Sequence, residues 1–290
     1  MLKRRIGSEI RLTSQPDHAA VSGYLAAHWG NSEFQRPGHY APSPNSEAIR
    51  AETVLAIAEH DNGWWEWEAD PPLDPEDGLP LHLLALTQEA GLDRWRRGVP
   101  RFEEHHPYVS LLISYHAYWL HAPRCGPDVP TDLLHPLFGA SGEWPLLEGD
   151  ELTRARQFLA EQRDTQDRLQ KRLSGDPLWQ SAIQPEMLQP HIRLLQIADA
   201  LSLHLCLGAE SPIEILNAPR RDWNGRAAIT VTPVSADRLI CDPYPFDLDP
   251  LPVTLRSRVL PANFQRPTNF HPWWHAVPRR EIRFEYSSAA

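Results

Sequence analysis

The chain has 290 residues, 41% hydrophobic and 23% charged, which is enough to bury one large core. Its net charge of −10 argues against a bulk polyanion such as duplex DNA, and no stretch approaches the roughly 18 apolar residues of a membrane span. Cys125, Cys206 and Cys241 form no C-x-x-C pair and the N-terminus lacks the apolar run of a signal peptide, so the sequence predicts a cytoplasmic protein without a disulfide framework or thiolate zinc site.

Residues 1–13 mix charged and apolar residues and suit one or two short strands. Ser14-Gln-Pro-Asp17 reads as a helix start, with Ser14 as N-cap, Pro16 in the first turn and Asp17 as the capping acid; this helix runs to about Trp29. Residues 31–45 are rich in Pro, Gly, Ser and Asn and predict a loop. A second helix is expected from about Ser46 to Asp61, stopped by Asn62-Gly63. Helical patterns return at 81–97, 107–121, 150–174 and 187–207. From about residue 220 β-branched content and partial alternation predict a small antiparallel sheet. The expected architecture is therefore mainly α, with a helical domain at 1–219 and a small β-rich extension at 220–290.

Four of these helical segments carry an inward imidazole or carboxylate. His18 shares a face with Val21, Ser22, Leu25 and Trp29. His60-Asp61 ends a stripe that includes Val54, Ile57 and Ala58, although a chain with 14 histidines contains roughly one His-Asp pair by chance. His116 belongs to the stripe Val109, Leu112, Ile113, His116, Leu120. Asp199 interrupts a segment apolar on nearly every side, and a carboxylate there must be paired, hydrogen-bonded or metal-bound. Each has a plain structural alternative: a satisfied core histidine, a helix-end pair, or a buried ion pair. Together they form an imidazole and carboxylate set suited to divalent Mn, Fe, Ni, Co or Zn.

The order His18 … His60-Asp61 … Asp199 resembles the H…HD…D signature of the HD superfamily, and Leu195-Gln-Ile-Ala-Asp199-Ala-Leu-Ser202 is similar to that family's closing helix. More narrowly, Gln15-Pro-Asp-His18-Ala with Ala58-Glu-His-Asp61-Asn-Gly-Trp resembles a bacterial family of uncharacterised HD-like proteins. The resemblance spans roughly residues 1–210. It implies an HD-like helical bundle with His18, His60, Asp61 and Asp199 as metal ligands and Asp61 and His116 as catalytic groups. Gln15, Trp64 and Trp65 become candidate substrate contacts, the two tryptophans as an aromatic wall or simply as loop packing. The implied activity is metal-dependent hydrolysis of a small phosphorylated metabolite or nucleotide. A di-iron oxygenase and a non-enzymatic ligand-binding module are the alternatives. One departure stands out: no basic residue closely follows His60-Asp61, where the text is Asn62-Gly-Trp-Trp-Glu-Trp-Glu68.

Overall fold

The computed structural model describes residues 1–126, 133–138, 145–208 and 210–289. A hairpin opens the chain, β1 (Leu2–Ile6) and β2 (Glu9–Thr13). The helices follow: α1 (Gln15–Ala27), α2 (Ser46–Ala58), a short α3 (Trp65–Ala69), α4 (Gln88–Gly98), α5 (Pro107–His121), α6 (Gly149–Ser174) and α7 (Pro185–Leu207). The chain then forms β3 (Ile213–Pro219), β4 (Arg226–Pro233), β5 (Arg238–Asp242), β6 (Leu251–Pro261), α8 (Phe270–Ala276) and β7 (Arg279–Ser288).

All seven strands lie in one mixed sheet ordered β1-β2-β6-β7-β5-β4-β3, with β5 and β7 parallel and the other neighbours antiparallel. This corrects the expectation of a mainly α, HD-like helical bundle with a small antiparallel C-terminal element. The opening hairpin joins the sheet through β2, which pairs with β6 from Glu9↔Pro261 to Leu12↔Arg258. That partnership links segments from opposite ends of the chain, and no local pattern announces it. The sheet also starts earlier than expected, because β3 precedes residue 220.

The sheet face and the helices share one core. β6 alternates as a half-buried strand must: Leu251, Val253, Leu255 and Ser257 are buried while Pro252, Thr254 and Arg256 are exposed. Its inner residues cluster with Ile229, Val231, Phe284 and Tyr286 against helical side chains such as Leu25, Leu195 and Leu201. The Tyr286 hydroxyl donates to the Leu201 carbonyl at 3.1 Å, tying β7 to α7. Helix α7 is buried from Met187 to Cys206 except at Gln189, as its all-round hydrophobicity requires. Helix α1 starts as expected, with Ser14 Oγ accepting the Asp17 N–H at 3.1 Å. Among the described residues no helix is long and apolar enough to cross a membrane.

One buried imidazole couples this packing to pH. The Gly38 N–H donates to His191 Nε2 at 2.8 Å, so Nδ1 carries the proton and donates to the Tyr108 hydroxyl at 2.7 Å. Burial pulls the His191 pKa down to about 3. The unfolded chain takes a proton below about pH 6.5 while the folded one does not, so this stability is complete above pH 6.5 and is lost as pH falls toward 3. Urea unfolding from pH 7 to pH 4 should show that loss, approaching about 1.4 kcal/mol per pH unit from this group. His191→Gln should flatten the slope; an unchanged slope would remove His191 from the account.

Candidate metal centre

Helix α2 ends at Ala58, three residues before the expected stop, and His60 and Asp61 lie in the turn that follows. Asn62 fixes this turn: its backbone N–H and its side-chain Nδ2 both donate to the Glu59 carbonyl, at 3.0 and 2.9 Å. The turn carries both side chains into the core beside α1 and α7. His18, His60, Asp61, His116 and Asp199 are all buried.

In this cluster His18 Nε2 lies 2.8 Å from Asp61 Oδ2 and 3.7 Å from Asp199 Oδ1. His60 Nε2 lies 3.6 Å from Asp61 Oδ2 and 3.5 Å from Asp199 Oδ1. Ligands about 2.0–2.2 Å from a tetrahedral ion sit roughly 3.3–3.6 Å apart, so the two His60 spacings are those of ligands to one ion, whereas the 2.8 Å between His18 and Asp61 is that of a hydrogen bond. His18, His60 and Asp199 form a buried group that could hold a metal.

The hydrogen bonds of the two imidazoles carry the fit further. His60 Nδ1 is 2.8 Å from the Ile57 carbonyl oxygen, an acceptor only, so Nδ1 bears the proton and the Nε2 lone pair faces the carboxylates. His18 Nδ1 is 2.7 Å from Ser202 Oγ, which itself donates to the Asp199 carbonyl oxygen at 3.1 Å. Ser202 Oγ anchors the ring at Nδ1, and His18 Nε2 faces the carboxylates, within hydrogen-bond distance of Asp61 Oδ2 at 2.8 Å. These contacts are of the kind that orients metal-binding histidines. His60 Nε2 and Asp199 Oδ1 are buried without a hydrogen-bond partner among the described residues. A lone pair held against two carboxylates requires a cation between them, either a proton or a metal.

The electrostatics agree. Burial depresses the His60 pKa, but Asp61 and Asp199 outweigh it and push it up to about 9. Burial likewise opposes ionisation of Asp199, yet His60, followed by the hydrogen bonds from His116 and His135, holds its carboxyl well below the usual carboxylate range. His116 goes the other way, pulled down to about 4 chiefly by burial.

Of the other candidates, Gln15 joins the cluster, its Nε2 donating to Asp61 Oδ2 at 3.1 Å. Trp64 is buried and lines a cavity that reaches the candidate metal ligands. Trp65 does not line it. It turns outward, packs edge-on to Phe102 and lies beneath the Arg101 guanidinium at 4.7 Å. His135 is the functional candidate that sequence reasoning missed. Its Nε2 donates to Asp199 Oδ2 at 3.1 Å, and His116 Nε2 is 3.4 Å from the same oxygen. These two imidazoles engage Oδ2 and leave Oδ1 facing His18 and His60. His135 lies outside any regular helix, so periodicity offers no signal for it.

A family model described as "Protein of unknown function (DUF3891)" matches residues 1–262. The chain belongs to this family. No curated protein and no solved structure matches it. The matched span contains every side chain of the cluster and ends just after β6.

Proposed function

We propose that this protein is a metal-dependent phosphohydrolase acting on a small phosphorylated molecule. The observation that carries the reading is the pair His60 Nε2 and Asp199 Oδ1, buried 3.5 Å apart without hydrogen-bond partners beside a cavity. His18, His60 and Asp199 would hold a divalent ion with Asp61 as a further ligand, and this donor set suits Mn, Fe, Ni, Co or Zn. Such an ion, when bound, supplies an acidified water and polarises a phosphoryl oxygen. Gln15 orients Asp61, and His116 and His135 orient Asp199. Asp61 and His116 both line the cavity and are the groups suited to moving a proton between the attacking water and the departing oxygen. Water adds to phosphorus, the P–O bond to the alcohol breaks, and inorganic phosphate and the alcohol leave. Phosphate as the reacting group is supported by the HD-like order of His18, His60-Asp61 and Asp199.

The test is phosphate release from a panel of phosphomonoesters by protein loaded with Mn²⁺, Ni²⁺ or Co²⁺. Release should stop on chelation and return on reloading. A protein that retains its metal and releases no phosphate from any panel member would overturn the assignment.

One observation favours a second reading. Four imidazoles, His18, His60, His116 and His135, surround Asp199 together with Asp61, a fuller donor set than a single ion needs. Two irons per chain with oxygen-consuming turnover would replace hydrolysis with oxygen chemistry.

A further inference from the structure

The cavity that reaches the metal ligands has a volume of about 530 Å³, within the range of pockets that enclose a drug-sized ligand. Six of its polar side chains, those of Gln15, His18, Asp61, His116, His135 and Asp199, meet at one end, and Thr87, Gln88, His121 and Arg124 line it elsewhere. Beside these four the rest of the wall is aliphatic and aromatic, including Leu83, Leu86, Trp95, Trp119, Leu120 and Phe138. Leu84 and Leu146 also line it and are 62% and 55% exposed, so the apolar surface continues out to solvent. Exposed leucines at the lip of an apolar cavity mark a path for an apolar molecule.

Charge points the same way. Each phosphate group brings about −1.5 to −2 at neutral pH, and the cavity already holds the carboxylates of Asp61 and Asp199. Among the described lining residues Arg124 is the sole lysine or arginine. A metal can answer one phosphate, but a polyphosphate chain needs more cations than this wall supplies.

The geometry points to a substrate with a single phosphoryl group on an apolar body, alkyl or aryl, rather than a nucleotide. The phosphoryl end rests on the phosphohydrolase reading, whereas the apolar body is read from the cavity walls alone. The body lies along the leucine and tryptophan walls while the phosphoryl group meets the metal end. Binding should therefore strengthen roughly fourfold for each methylene taken into the cavity.

Gly91 on α4 offers a way to close the cavity. It lines the wall, and a Cβ there would meet no atom within 4 Å. Gly91→Trp would fill the space without altering a metal ligand. The experiment measures affinities of methyl-, butyl-, hexyl- and octylphosphonate, none of which can be hydrolysed at the P–C bond, alongside adenosine triphosphate. Calorimetry on the metal-loaded wild type should give affinity rising at least 30-fold from methyl to hexyl, with adenosine triphosphate weaker than hexylphosphonate. Gly91→Trp should lose most of that rise while keeping its metal content and its affinity for methylphosphonate. A flat alkyl series in the wild type, or adenosine triphosphate binding more tightly than hexylphosphonate, would overturn the inference. Hexanol binding to metal-free protein reads the cavity alone and phosphate release reads the chemistry, so either reading can fail without the other.

Discussion

Asp199→Ala is expected to fold and to bind no metal. The residue supplies Oδ1, the atom that His18 Nε2 and His60 Nε2 both face, at 3.7 and 3.5 Å. Its loss should weaken binding by more than the roughly 10–100-fold typical of outer-shell residues. His135→Ala should fall within that smaller range, because His135 holds Oδ2 rather than contributing a ligand to the same ion. His204→Ala is the control: its Nε2 faces the Ser211 carbonyl at 3.1 Å and it should retain full metal content. Metal analysis after reloading with Mn²⁺ or Zn²⁺, with circular dichroism to verify folding, separates the three. Wild-type metal content in Asp199→Ala would refute the ligand assignment. Asp199→Asn, which keeps the shape and removes the charge, should behave like the alanine variant.

The second large effect is expected one turn away, at Gly63→Ala. The chain bearing His60 and Asp61 passes so close to α4 that a Cβ on Gly63 would lie 2.0 Å from the Arg94 carbonyl oxygen and 3.1 Å from the Gly98 backbone nitrogen. Both neighbours are backbone, so relief requires α4 as a whole to move. Overpacking commonly costs about 1–3 kcal/mol, and this clash should reach at least the top of that range. Urea denaturation should show a lower midpoint at an unchanged slope. Metal affinity should fall with it, because moving α4 disturbs Asn62, which fixes the turn and accepts the Arg101 Nε–H at 2.9 Å. Gly91→Ala on the same helix has open space and should instead stabilise by up to about 1 kcal/mol. A wild-type midpoint for Gly63→Ala would show that α4 is not fixed against this turn.

The inward faces of α1 and α5 are written in the sequence, because apolar residues at helical spacing fix which way His18 and His116 point, and α7, apolar nearly all round, must bury Asp199 whichever way it points. The burial of His18, His116 and Asp199 therefore follows from local patterning, whereas the meeting of His18 with Asp199 depends on the packing of α1 against α7. His135 follows from nothing local, since it lies outside the helices and reaches the site through tertiary placement. Helix α2 ends at Ala58 rather than Asp61 because Glu59 and Asn62 close a turn of their own. Trp65 follows the short 3₁₀ turn Asn62–Trp64, whose geometry sends Trp64 inward and Trp65 out. The sheet was the least legible part. Alternation marks β6 and β7 as strands, but the order of partners depends on contacts between distant segments. The β2–β6 pairing and the parallel β5–β7 pairing are both of this kind.

That β2–β6 pairing governs the order in which the molecule can be completed. Glu9 waits for Pro261, roughly 250 residues later, and translation at about 5–20 residues per second makes that a delay of about 12–50 seconds. Through this interval β1 and β2 can form a hairpin but have no strand to dock on, and α1, which begins two residues after β2, starts from an unanchored end. His18 sits in the first turns of α1. His18 thus lies on a helix whose preceding strand docks on one made roughly 250 residues later, and the side chains of the candidate metal centre come together only after β6 has been made.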